Sequence, residues 1–167
     1  MKRHLAALGF VALAGAISST ASAQQALTPD QLVGAWKFQS GVTHNATTGA
    51  DTPVSYSAAF ITYVPVGKTL RLSVNLAGLD RKEAGPTATD AEAVQLFKSY
   101  VGYSGIVELG ATATTEGTPV TTNIDVNLTH SVLGKYPRTY RVDGTKLTVI
   151  IKSSADVTST SVWEKVQ

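Results

Sequence analysis

Residues 70–76 read LRLSVNL. Leu70, Leu72, Val74 and Leu76 hold one parity; Arg71, Ser73 and Asn75 hold the other. A period of two makes a strand with one buried face and one wet face. VTTNIDVNL, residues 120–128, repeats the pattern, with Val120, Ile124, Val126 and Leu128 set against Asn123, Asp125 and Asn127. KLTVIIK, residues 146–152, groups Leu147, Val149 and Ile151. Threonine and β-branched residues fill these runs, as half-buried strands prefer. Turn residues separate them. Pro65-Val66-Gly67-Lys68 precedes LRLSVNL, and Asp143-Gly144, a strong hairpin dipeptide, precedes KLTVIIK. About eight strands are expected, near 32–40, 55–64, 69–76, 104–114, 119–129, 136–143, 146–153 and 157–166. Short strands at that spacing predict an all-β sandwich or barrel.

Two segments break the rhythm. TDAEAVQLFKSYV, residues 89–101, opens with Thr89 and Glu92 at capping-box spacing. Val94, Phe97 and Val101 then fall on one helical face. A single helix over 90–101, packed against the barrel, is expected. HNATTGADTPVS, residues 44–55, is polar and rich in turn formers, and reads as a mobile loop near a barrel mouth.

The first residues carry Lys2 and Arg3, an apolar run over 5–17, and Ala21-Ser22-Ala23 as a small-residue cleavage pattern. These features predict a cleaved secretory signal over 1–23, a short lead over 24–31 and one barrel domain over 32–167. The apolar run is short for a span of about 20 residues, so no stable membrane insertion is expected. A signal of this type implies a bacterial periplasmic or secreted protein. Lys2 and Arg3 account for the whole formal charge of +2. The mature chain is therefore neutral, with no basic run, and nucleic acid is not an expected partner. The chain has no cysteine, which excludes a disulfide framework, a thiolate metal site and a lipidated N-terminus. Stability must come from an apolar core.

LVGAWKFQS, residues 32–40, places Gly34 and Trp36 in the Gly-x-Trp pattern of the first strand of lipocalins and fatty-acid-binding proteins. Further pieces follow in order. FITYVPVGK carries Tyr63, Pro65, Gly67 and Lys68. AVQLFKSYVGYSGIVEL runs a helix into a Tyr-x-Gly strand start at Tyr103 and Gly105. RTYRVDGTKLTV carries Arg138, Asp143, Gly144 and Leu147, and SVWEKV ends on Trp163, Glu164 and Lys165. From about residue 32 to its end the chain resembles the bacterial and fungal lipocalin-like domain family. The resemblance implies an antiparallel calycin-type β-barrel with one helix, and implies no single activity. Members often carry a His-His pair where this chain has Thr122 and Asn123, and an acidic turn residue where it has Val66. Any chemistry resting on those imidazoles is out of reach here.

The residues themselves offer little catalysis. His44 and His130 are the only histidines of the mature chain and lack ligand spacing, so neither metal nor cofactor is expected. GYSGI, residues 102–106, is not a serine elbow, because Gly105 directly follows Ser104 and a strand follows. The aromatic and basic set is richer. Tyr56, Phe60, Tyr63, Arg138 and Tyr140 are candidates to line a pocket for a small hydrophobic molecule with a carboxylate or phenol head. Alternatively they simply fill a small barrel. Gly34, Trp36 and Trp163 read as a structural plug. Arg138, Tyr140 and Val142 share a parity, with Arg141 and Thr139 on the other. An inward Arg138 needs an anion, either an internal carboxylate or a ligand head; otherwise it stacks on Trp36 as a cation–π lid. The leading functional reading is an exported carrier or sensor. The alternatives are an isomerase- or cyclase-type barrel enzyme using Tyr140 or Glu108 as its acid or base, and a structural protein with a filled lumen.

Overall fold

The computed structural model describes residues 25–79, 81, 87–128 and 133–167. The expected signal segment over 1–23 lies outside them, as do His130 and much of the 77–89 connection. Nine strands run in chain order: β1 (Gly34–Asn45), β2 (Ala50–Val54), β3 (Ala58–Val66), β4 (Thr69–Ala77), β5 (Tyr100–Leu109), β6 (Thr118–Asn127), β7 (Gly134–Asp143), β8 (Lys146–Lys152) and β9 (Val157–Lys165). Each of β3 to β8 pairs antiparallel with the next, and β1 pairs with both β3 and β9. Eight strands thus close into a barrel, which leaves no free edge along the ring.

β2 is the ninth strand, and it corrects the expected loop over 44–55. It forms a hairpin with the outer half of β1, from Gly41↔Val54 to Asn45↔Ala50. The turn has its own chemistry. The Asn45 side chain accepts from the backbone N–H groups of Thr47 and Thr48, and Gly49 takes φ +68°. That is an Asx-type turn closed by a left-handed glycine, so polar composition here encodes a hairpin. β1 therefore serves two partners on one edge: β3 over residues 34–37 and β2 over 41–45.

The inward parities follow the sequence in β4 and β8. Leu70, Leu72 and Val74 are buried, as are Leu147 and Val149. In β6 the parity breaks. Ser104↔Val126 is followed by Gly105↔Ile124, so Asp125 is an extra residue, a β-bulge. Val120 and Ile124 stay inside, but Val126 is 60% exposed and Leu128 is exposed too. Alternation alone had placed both inside.

One end of the barrel is sealed. A four-residue helix, α1 (Pro29–Leu32), lies across it, with Leu27 and Leu32 buried. The Leu27 N–H donates to Thr118 Oγ1 at 2.9 Å, which ties the lead to β6. The second helix, α2 (Asp90–Lys98), bridges β4 and β5 at the opposite end. Its capping box forms: the Thr89 N–H donates to Glu92 Oε2 at 2.8 Å, and the Glu92 N–H returns to Thr89 Oγ1. It is shorter than the expected 90–101, because Tyr100 and Val101 already belong to β5. It also buries none of its side chains: Val94 is 51% and Phe97 48% exposed. The apolar stripe is present but unburied among the described residues. No helix among them is long and apolar enough to cross a membrane.

Candidate functional site: the lumen beneath Arg138

The sealed end is built around the first-strand tryptophan. Trp36 is fully buried, and its indole N–H donates to the Leu32 carbonyl at 2.7 Å. The Lys165 ammonium lies 5.3 Å from the indole centre. Gly34 explains the spacing. It has φ +120°, and a Cβ there would meet Lys165 Cε at 3.2 Å. Glycine thus serves both the backbone conformation and the path of the lysine stem. The cation over Trp36 is therefore Lys165 from β9, which replaces the Arg138 lid as an account of that ring.

Above this plug the barrel is hollow. A cavity of about 290 Å³ is lined by Ile61, Val74, Val149, Trp163, Tyr103 and Arg138, with Thr43, Tyr56, Ser159 and Ser161 among the rest of the wall. That is roughly ten water volumes at ~30 Å³ each. Trp163 is thus part of the cavity wall, one step along the ladder from Trp36, and not an end plug. Its indole N–H donates to Ser161 Oγ at 2.8 Å, and its ring packs edge-on to Phe38 at 5.3 Å. Phe38 in turn packs edge-on to Tyr56 at 5.0 Å.

The other candidate residues divide. Tyr56 and Arg138 line the cavity. Tyr63 and Tyr140 are fully buried beneath it, edge to face at 6.2 Å. Phe60 is 39% exposed on the outer face, since Ala59 and Ile61 take the inward parity of β3. It is removed from the lumen set. Glu108 is exposed on β5 beside buried Val107, so it cannot serve as an acid or base inside the barrel. Thr122 is fully buried with no partner for its Oγ1 among the described residues, and Asn123 takes the opposite parity. His44 sits on β1 and contacts Asp51 of β2 at 2.7 Å on the surface. No cluster of three metal-ligating side chains occurs among the described residues.

Arg138 holds the parity expected for it: Tyr140 is buried beside it, Val142 packs on the core, and Arg141 faces solvent. Its Nη2 donates to the Tyr103 hydroxyl at 3.0 Å, and its guanidinium carbon stands 5.7 Å from the Tyr103 ring centre. Its Nε is buried without a partner, and no carboxylate pairs with it among the described residues. Burial works against the guanidinium charge and the Tyr140 and Tyr103 side chains work for it; Arg138 stays protonated, as a guanidinium does at any ordinary pH. The phenols stay neutral. Burial raises Tyr103 despite the opposing Arg138 charge. Burial, reinforced by Tyr140, pushes Tyr63 well above the ordinary tyrosine range. Tyr56 is raised too, by burial and then by Tyr103.

Tyr103 was the residue missed as a site component. It shares parity with Gly105 and Val107 on β5, and that parity was the signal available. Gly105 has its own reason: a Cβ there would meet the Asn123 carbonyl oxygen at 2.2 Å. The Tyr-x-Gly strand start thus combines the partner of Arg138 with the close approach of β6.

No family model matches the chain, and no curated protein matches it. Among solved structures, it is similar to a de novo designed fluorescence-activating β barrel, at 12% identity and TM-score 0.41, over 83% of this chain and 96% of that one. It is also similar to a redesigned β barrel, at 16% identity and TM-score 0.43, over 87% of this chain and 100% of that one.

Proposed function

We propose that this protein is an exported, lipocalin-like barrel that binds a small hydrophobic molecule in its lumen, as a carrier or sensor. The observation that carries the reading is the cavity of about 290 Å³ above the Trp36 plug, walled mainly by aliphatic and aromatic side chains. A barrel of eight strands is wide enough either to fill itself or to hold one small ligand, and this one leaves space. The motif series from Gly34-Ala35-Trp36 to Trp163-Glu164-Lys165 supports the lipocalin-like assignment, and the N-terminal signal pattern supports export. The test is direct. A lipophilic dye should bind at micromolar level with one site per chain, and Val149→Trp, which fills the cavity, should abolish binding while the barrel stays folded. Unaltered dye binding in that variant would place the site elsewhere.

In the barrel-enzyme alternative, Glu108 lies outside the lumen and Tyr140 is buried beneath the cavity, so the acid or base would come from the Arg138–Tyr103 pair on the wall. Turnover separates the two readings: a carrier returns its ligand unchanged.

A further inference from the structure

We infer that the lumen ligand carries one singly charged oxyanion head, a carboxylate or an ionised phenol, held between the Arg138 guanidinium and the Tyr103 hydroxyl. This rests on the lumen being a ligand site, and adds what that ligand must be.

The argument is one of unmet needs. Arg138 is the only charged residue lining the cavity among the described residues. Arg138 is half-buried, and a guanidinium partly withdrawn from water is costly unless paired. Its present partner, Tyr103, is a neutral phenol that accepts one hydrogen bond. That phenol does not act as a counter-ion, because burial holds it protonated. The guanidinium carries five N–H donors, and its bond to Tyr103 uses one of them. Arg138 Nε–H is buried and unpartnered. The Tyr103 O–H, whose oxygen already accepts from Arg138, still has its proton to give. Elsewhere on the wall, Thr43 and Ser159 bond each other at 2.8 Å, and Ser161 accepts from Trp163 while keeping its own proton; these hydroxyls carry no charge to match an anion. A single oxyanion in the cavity beside the guanidinium and the Tyr103 hydroxyl would answer free donors and the charge together. One cation in the wall suits charge −1 and disfavours a dianion. The rest of the ligand would lie against Ile61, Val74, Val149 and Trp163.

The inference has a signature that a structural arginine would not give. Removing a half-buried charge that has no carboxylate partner among the described residues should leave the ligand-free barrel no less stable. The full-length mature protein is titrated by calorimetry, in buffer free of other small anions, with octanoate, octan-1-ol and picrate, and its melting temperature is recorded without ligand. Octanoate should bind about 10- to 100-fold tighter than octan-1-ol, the range for charge-assisted hydrogen bonds. Arg138→Met should bring octanoate down to the alcohol's affinity without lowering the ligand-free melting temperature. Tyr103→Phe, which keeps the ring, should weaken octanoate about tenfold and leave the alcohol unchanged. Picrate binding alone would assign the head to phenolates, and octanoate alone to carboxylates. Equal binding of octanoate and octan-1-ol by the wild type, or full octanoate affinity in Arg138→Met, overturns the head-group inference while the lumen reading stands. A lower ligand-free melting temperature in Arg138→Met also overturns it, and assigns the arginine to structure. If octanoate, octan-1-ol, picrate and the lipophilic dye all fail to bind, the lumen reading falls with it.

Discussion

Trp36 offers the sharpest test of where the stability of this barrel resides. The side chain is fully buried, so Trp36→Ala removes a whole indole from a packed end and should cost about 3–5 kcal/mol. Trp36→Phe separates the contributions. It keeps an aromatic ring but loses the N–H that donates to Leu32 at 2.7 Å. Leaving that carbonyl unpaired costs about 1–3 kcal/mol. Lys165→Met keeps the stem against Gly34 and removes the ammonium 5.3 Å from the ring, a loss of about 0.5–1 kcal/mol. The two sites touch, so they should couple: Lys165→Met in a Trp36→Ala background should cost close to nothing. Urea unfolding followed by far-ultraviolet circular dichroism avoids reading the tryptophan that is being changed. An unaltered m-value would show that the effect lies in the native barrel. A cost below about 0.5 kcal/mol for Trp36→Ala would refute the plug. A Trp36→Phe variant as stable as wild type would refute the bond from the ring to α1 as a contributor.

Gly105→Ala should destabilise by about 3 kcal/mol or more in the same unfolding assay, because its Cβ would sit 2.2 Å from a backbone oxygen that cannot swing aside. Tyr63, raised in the folded state by burial, makes the barrel alkali-sensitive. Its contribution is intact below its unfolded value near 10 and is lost as pH climbs from there toward the folded value, by about 1.4 kcal/mol per pH unit; Tyr63→Phe should flatten that slope in melts taken from pH 9 upward. Arg71 and Asp125 form a two-pronged ion pair at 2.6 and 2.9 Å on the outer face, and its solvent exposure means that Asp125→Asn should lower the melting temperature only slightly, a loss that added salt should shrink.

Much of this architecture was legible because strand parity is a local signal. Leu70, Leu72 and Val74 needed only their neighbours to be read, and so did Arg138 with Tyr140. Gly34-x-Trp36 announced the plug, although the cation over it came from the last strand, which no local pattern could reveal. What escaped were features set by partners. α2 was visible as a capped amphipathic stretch, but whether its stripe is buried depends on what lies opposite it. β2 escaped because its alternation is polar; its pairing comes from the Asn45 turn and the edge that β1 offers. Tyr56 and Phe60 share one parity and Tyr63 the other, so one regular strand over 55–64 could not turn all three inward. The structure resolves that by starting β3 after Tyr56. Tyr103 was quoted for its motif alone, since its role is defined by Arg138, 35 positions away.

The bulge at Asp125 shows how one extra residue changes the chemistry of the lumen. With strict alternation, β6 would turn Val126 and Leu128 inward and line the upper barrel with hydrocarbon. The extra residue reverses the faces beyond Ile124. Val126 goes out, and Asn127 becomes the residue directly opposite Tyr103. Opposed residues on paired strands present their side chains on one face, so a polar amide joins the phenol that receives Arg138. The displaced Asp125 meanwhile reaches the Arg71 fork on the outer surface. A barrel selected only for a dense core would gain from keeping valine inside at that level. The bulge instead adds polarity beside an arginine that lacks a carboxylate partner among the described residues, at the end of the lumen left open by α1. The cost of keeping that charge inside falls on the empty protein and is recovered only when an anion arrives, so ligand binding and thermal stability should rise together in this barrel.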